Sequence, residues 1–202
     1  MGDKLMIIMN TRINENFVCN GDFAQVVRVG GVVTRTVPLP KERLKYGGFR
    51  EREPLALRFR EVTLKLRNEE GELFTTDGLI IENELEMMAA PNLSLIIQGL
   101  LIDFAKRHSH LKKKSSQYQE ALAKDPYVNA WHVRYGYAVT CHKSQGGEWE
   151  HVFVDCGWHK PDLDQSYFRW LYTAVTRAKK HLYLARIPKG INVIPDDCPD
   201  WF

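Results

Sequence analysis

No CxxC pair occurs in this sequence. Its four cysteines, Cys19, Cys141, Cys156 and Cys198, are widely separated. That argues against a structural zinc site or a disulfide framework, and for free thiols in a reducing compartment. No run approaches the roughly 20 apolar residues that a membrane span needs. The opening "MGDKLMIIMNTR" holds only a short apolar stretch with an acid before it, so no secretory signal is expected. An excess of one charge is also nearly missing. The formal net charge of +3 permits a nucleic-acid partner without arguing for one. What is present is an ordinary globular composition, 44% hydrophobic over 202 residues, enough for one large domain or two small ones. A soluble, cytoplasmic chain is expected, with no membrane partner and no metal site.

Three sections follow one another. "DKLMIIMNT" reads as a buried-type strand, and Asn20-Gly21-Asp22 supplies turn chemistry. In "FAQVVRVGGVVTRTVPL" the pair Gly30-Gly31 between β-branched runs is a hairpin signal. "LALRFREVTLKLRNEEGELFTT" reads as two alternating strands joined near "NEEG". Residues 20–90 are therefore expected to form a small antiparallel β-barrel, with a long loop marked by Pro38, Pro40 and "YGGF". From about Leu93 to Asp125 the period becomes helical. Leu95, Ile96, Gly99, Leu100, Ile102, Phe104 and Ala105 suit one helix, and "QYQEALAKDP" a second that stops at Pro126. Between them "KRHSHLKKKSS" fits a solvated face, or phosphate contact.

The last section is α/β. "YGYAVT", "EHVFVDCG" and "HLYLARI" read as strands, and "SYFRWLYTAVTRAKK" as a helix with Phe168, Leu171, Tyr172, Val175 and Ala178 on its buried stripe. Such a succession is a fragment of a parallel sheet, whose ligands bind beyond the carboxyl ends of the strands. "YAVTCHKSQGGEWE" lies at one such end. Thr140, His142, Lys143, Ser144 and Gln145 can all donate hydrogen bonds, and amides near Gly146 and Gly147 can approach a ligand closely. That donor set suits phosphate oxygens. Glu148 does not; an acid beside a phosphate site usually holds a hydroxyl or a metal. A polar turn without a ligand is the plainer alternative. In "YTAVTRAKK", Arg177 could reach a phosphate at the strand ends, or serve only to complement the helix dipole, a role that suits Lys179 and Lys180 better.

Taken together, "YAVTCHKSQGGEWE" resembles motif V of superfamily 1 helicases, and "LYTAVTRAKKHLYLA" resembles motif VI. The likeness is to the RecD-like and Dda-like branch, which includes the alpha subunit of exodeoxyribonuclease V. "DKLMIIMNTRINENFVCNGDFAQVVRV" is similar to the same branch, where a strand leads into an "NGD" turn and an SH3-like barrel. The resemblance covers the first 30 residues and about Tyr127 to Ile187.

This resemblance implies an α/β fold in which a partial RecA-like parallel sheet, the second motor domain, is formed by residues 1–20 and 126–190. An SH3-like antiparallel β-barrel (21–92) and a short helical segment (93–125) are inserted, and 191–202 form a tail. It implies that Arg177 contacts the γ-phosphate as the catalytic arginine, and that Gln145, Gly146 and Glu148 face ATP, with Glu148 on the ribose. Thr140, His142 and Lys143 would touch the DNA backbone, and basic barrel residues such as Arg58 and Arg60 would add to the contact with single-stranded DNA. ATP and Mg2+ would be cofactors of the full-length protein, with none bound tightly by this piece.

No GxxxxGK[ST] occurs in the chain. "HVFVD", ending in Asp155, imitates a magnesium-binding strand but follows motif V rather than a P-loop. The expectation is thus the C-terminal half of an ATP-dependent helicase whose upstream RecA-like domain is a separate partner, with nuclease or recombination subunits as further candidate partners. The alternative is a stand-alone nucleic-acid-binding module with the motor function lost.

Overall fold

A computed structural model of the chain describes residues 2–13, 16–86, 92–158 and 163–191. Cys198 and the tail from residue 192 lie outside the described residues. Two compact units divide at residues 138 and 139, and the whole is a mixed α/β structure.

The first unit is built on β1 (Lys4–Ile7), β2 (Thr11–Ile13), β3 (Asn16–Val18), β4 (Phe23–Val37), β5 (Glu42–Arg43), β6 (Phe49–Arg50), β7 (Leu55–Arg67), β8 (Leu73–Ile81), α1 (Leu93–Arg107), α2 (Ser116–Lys124) and β9 (Val133–Tyr135). Five strands form an antiparallel sheet in the order β8-β7-β4-β1-β9. The "NGD" turn forms as expected: Gly21 takes φ +112°, and the Asp22 carboxylate accepts from Cys19 N at 2.7 Å. The "NEEG" turn joins β7 to β8, with Gly71 at φ +84°.

Two expectations are corrected. Gly30-Gly31 do not turn the chain. β4 runs straight through them, and its register against β7 shifts between Val29 and Val32. The two glycines form a bulge opposite Glu61, whose carboxylate accepts from Gly31 N at 3.3 Å. The barrel also does not close. Its outer strands meet only at a parallel bridge between Ile80 and Trp131, two residues before β9. Trp131 N donates to Leu79 O at 2.7 Å. The indole also lies on Gly78, where an added Cβ would come within 2.5 Å of Cζ2. A three-residue β9 is too short to carry a continuous ladder to β8.

The two faces of β7 serve two cores. On β7, Val62, Leu64 and Leu66 join Leu5, Ile7, Val26 and Val133 inside the curled sheet. Leu57 and Phe59, of opposite parity, pack with Val37, Ile81, Ile96 and Leu100 beneath α1. The buried set changes face at Arg60 and Glu61, opposite the bulge. Each of these fully buried side chains contributes roughly 1.5–3 kcal/mol. Asn92 caps α1 by accepting from Ser94 N at 2.9 Å. Gly99 lets α1 approach the end of β4 closely; a Cβ there would lie 3.0 Å from Pro38 O and 3.2 Å from Val37 Cγ2. α2 ends as expected before Pro126, with Asp125 at its C-cap.

The second unit contains β10 (Trp149–Asp155), α3 (Gln165–Val175) and β11 (Ala178–Ala185). β10 and β11 pair in parallel, from Trp149 with Ala178 to Asp155 with Ala185. This is the strand–helix–strand crossover the sequence led us to expect. "YGYAVT" is not a strand of it. Only Tyr135 of that stretch lies in a strand, β9, and β9 pairs antiparallel with β1. α3 also buries a different stripe from the expected one. Tyr167 and Ala174 are buried, with Trp170 and Leu171 packed beside them, whereas Phe168 is 50% and Tyr172 70% exposed. No helix among the described residues is long and apolar enough to cross a membrane.

Candidate nucleotide and nucleic-acid site

Residues 140–149 connect a bend to β10. Thr140 starts a short 3-10 helix, Cys141–Ser144, by accepting from Lys143 N at 2.9 Å and Ser144 N at 3.1 Å through its carbonyl. Ser144 is buried, and its hydroxyl donates to Cys141 O at 2.7 Å. His142 and Lys143 are exposed on this turn, as is Gln145 after it. Gly146 then takes φ +84°, a conformation open to glycine. Gly147 lies under the Trp149 indole; a Cβ there would sit 2.4 Å from Cη2. The loop is therefore a fixed turn with Ser144 inward and the side chains of His142, Lys143 and Gln145 outward.

Arg177 lies just beyond the end of α3, in the turn before β11, rather than within the helix. Its guanidinium is held at three points. Nε donates to Thr173 O at 3.0 Å, Nη2 to Thr176 Oγ1 at 3.0 Å, and Nη1 to Gly147 O at 3.3 Å. Its own carbonyl accepts from Trp149 N at 2.9 Å. Those three bonds use three of five guanidinium N–H groups, leaving one on each Nη. Motif-like loop and arginine thus meet directly. Beside them, the Cys141 thiol is half-buried and donates to Trp170 O at 3.4 Å. Burial pushes its pKa up, and the positive charge of Arg177 pulls partly the other way.

Glu148 is half-exposed and pairs through Oε2 with Lys179 Nζ at 3.4 Å, leaving Oε1 unused by that pair. Lys180 pairs with Glu150 at 2.6 Å. Asp155, at the end of β10, is bound by the Arg186 guanidinium and accepts from Gly157 N at 3.0 Å; the arginine, then the amide, hold its carboxyl below the usual range. Among the described residues no group of three or more His, Cys, Asp or Glu is placed to hold a metal ion, and Cys19, Cys141 and Cys156 are free thiols.

Sequence reading missed Thr173, Thr176, Lys179 and Trp149 as the residues that hold Arg177 and Glu148. The spacing from 173 to 177, one helical turn, was the available signal.

Arg58 and Arg60 belong to the first unit. Arg58 Nε donates to Glu82 Oε2 at 3.0 Å, its Nη2 binds Glu86, and Arg60 Nη2 donates to Glu82 Oε1 at 2.9 Å. Burial works against the charge on Glu82, yet Arg60 and Arg58 outweigh it and hold that carboxyl low. Both arginines therefore carry compensated charge.

The donor-rich loop and the anchored arginine stand together at the amino ends of β10 and β11, not at the carboxyl end of a strand as the sequence led us to expect, because "YGYAVT" forms no strand of this sheet. Residues 135–185 match the model of the UvrD-like helicase C-terminal domain. A comparison with curated proteins gives no match. The matched span holds the whole loop, α3, Arg177 and β11. Residues 135–185 are thus similar to a helicase C-terminal domain, and helicases as a class use ATP with Mg2+ and bind nucleic acid.

Proposed function

We propose that this chain is the C-terminal part of a RecD-like, ATP-driven translocase on single-stranded DNA, acting in the cytoplasm with an upstream RecA-like domain. The observation that carries the reading is the bond from Arg177 to the Gly147 carbonyl, because it ties the arginine to the loop that holds His142 and Lys143. A change at one is felt at the other.

In this reading ATP with Mg2+, when bound, supplies the phosphoryl chemistry, and the P-loop lysine comes from the upstream domain. The residues of this chain fit such a ligand. Arg177 keeps an N–H on each Nη for an anionic oxygen. Gln145 and Gly146 shape the loop, and Glu148 has an oxygen to accept from a ribose hydroxyl. Thr140, His142 and Lys143 hold the DNA backbone. Arg58 and Arg60, on the first unit, contact DNA in their own right when phosphate replaces Glu82 and Glu86. Nuclease or recombination subunits are the natural assembly partners of such a protein.

The test is ATP turnover by a protein carrying this chain together with a P-loop domain, with and without single-stranded DNA. Stimulation by DNA is expected, while the 202-residue chain alone neither turns over ATP nor binds it tightly. DNA binding without any stimulated turnover would overturn the motor reading in favour of a stand-alone nucleic-acid-binding module.

A further inference from the structure

The segment between β4 and β7 projects as a small arm. β5 and β6 pair antiparallel, Glu42 with Arg50 and Arg43 with Phe49. The turn between them is closed by Leu44 N donating to Gly48 O at 3.1 Å and Gly47 N to Leu44 O at 3.2 Å. Gly47 and Gly48 take φ +95° and +86°, which the turn requires, and a Cβ on either would meet nothing within 4 Å. The tip therefore stands in open space. Tyr46 is 94% and Phe49 69% exposed. Neither aromatic contributes to the core, so the fold gives no reason for them.

Charge on the arm is sorted by position. At its base Lys41 pairs with Glu51 at 2.6 Å, and Arg50 with Glu42 at 2.7 Å. From Arg43 to Arg50, "RLKYGGFR", there is no acid. Arg43 and Lys45 have no carboxylate partner among the described residues, and Lys45 Nζ lies 5.8 Å from the Tyr46 ring centroid. The root is firm. Arg35 binds Asp103 on α1 at 3.4 Å, and Gly99 seats α1 against Val37 and Pro38.

We infer that this tip is a stacking site for unpaired bases of single-stranded nucleic acid. Tyr46 and Phe49 offer ring faces, and Arg43 and Lys45 meet the adjoining phosphates. The positive tip disfavours a second copy of the same tip, and the pairing of exposed rings with uncompensated cations fits a polyanion that carries π-faces. The nature of the polyanion rests on the helicase reading above. The site itself does not use the 140–148 loop.

The experiment is fluorescence anisotropy of a labelled oligothymidylate titrated with the 202-residue chain, beside sedimentation with anionic phospholipid vesicles. Tyr46→Ala and Phe49→Ala are each expected to weaken oligonucleotide binding about fivefold or more, with unchanged thermal melts because both side chains are exposed. In Tyr46→Trp, addition of oligonucleotide should quench fluorescence beyond the change seen in wild type. Lys143→Ala serves as the separate arm. If it weakens binding while the Tyr46→Ala, Phe49→Ala double variant binds like wild type, the hairpin inference is overturned and the loop reading stands. If only the hairpin variants weaken binding, the inference stands and the loop reading fails. Binding to vesicles with none to oligonucleotide overturns it outright.

Discussion

Arg177 donates to the carbonyl of Gly147 at 3.3 Å, thirty residues back along the chain, and so closes the mouth of the parallel strand pair. Trp149 N returns a bond to the Arg177 carbonyl. The guanidinium is thus stored against the loop it is proposed to communicate with.

Arg177→Ala should leave the fold intact, because its three donors serve part-buried polar groups of the α3 end and the loop rather than core side chains. In a complete, P-loop-containing protein it should slow DNA-stimulated ATP turnover by 10³-fold or more, as loss of an arginine finger does. Affinity for ATP should fall less, since the charge it meets grows in the transition state. Arg177→Lys should rescue poorly for want of the planar fork. Measured kcat and KM, with melts as control, check this; near-normal kcat in a folded Arg177→Ala protein would show the arginine to be structural.

Gly147→Ala should displace the Trp149 indole, because the new methyl would overlap its ring. The cost is about 1–3 kcal/mol of local strain. The tryptophan emission should shift, and DNA stimulation should fall even though no charged group is lost. An unchanged spectrum and unchanged stimulation would remove the loop from the coupling route.

Glu82→Gln combined with Glu86→Gln should release the arginine pair that these two carboxylates neutralise. Affinity for single-stranded DNA at low salt should rise, and the log–log salt slope should steepen by about 0.7 for each arginine that gains a phosphate. Binding curves at several salt concentrations decide it. A slope equal to that of wild type would exclude Arg58 and Arg60 from the DNA contact.

Asp125 links α2 to the end of α1. It accepts from Arg107 Nη1 at 2.7 Å and from the amides of Tyr127 and Val128 at 3.0 and 2.9 Å. Burial opposes its charge, but Arg107 and the amides prevail and hold its carboxyl below the usual range. A depressed carboxyl adds stability that is complete above about pH 4 and drains away as pH falls toward its folded value. Asp125→Asn keeps an oxygen for the amides but loses the ion pair. It should cost about 1–3 kcal/mol at neutral pH. The difference from wild type should shrink below pH 4. Urea melts at pH 7 and pH 3 measure both.

How much of this was legible beforehand depended on distance along the chain. The "NGD" and "NEEG" turns, α1, the end of α2 before Pro126 and the strands on either side of α3 follow from local chemistry, and all were expected. Gly30-Gly31 misled because a glycine pair looks alike in a turn and in a bulge; Glu61, thirty residues away, makes the difference. "YGYAVT" misled because apolar composition by itself fixes neither strand nor burial: Tyr135, Tyr137 and Ala138 are exposed. In α3 the aromatics at 167, 168, 170 and 172 crowd a short helix, so periodicity alone left the stripe one residue out. The carboxylates facing Arg58 and Arg60 stand more than twenty positions off, beyond the reach of any local pattern. The arginine and the loop around Gly147 were both singled out, but their direct bond was not.

The position of β1 between β4 and β9 has a consequence for birth on the ribosome. Leu5 faces Ala24 on one side and Tyr135 on the other. The β4–β7–β8 meander is local and can assemble early, with β1 alongside it. The outer edge of β1 then waits unpaired until residues 133–135 have been made. For that interval the nascent chain carries an open, apolar strand edge of the kind that recruits unwanted pairing.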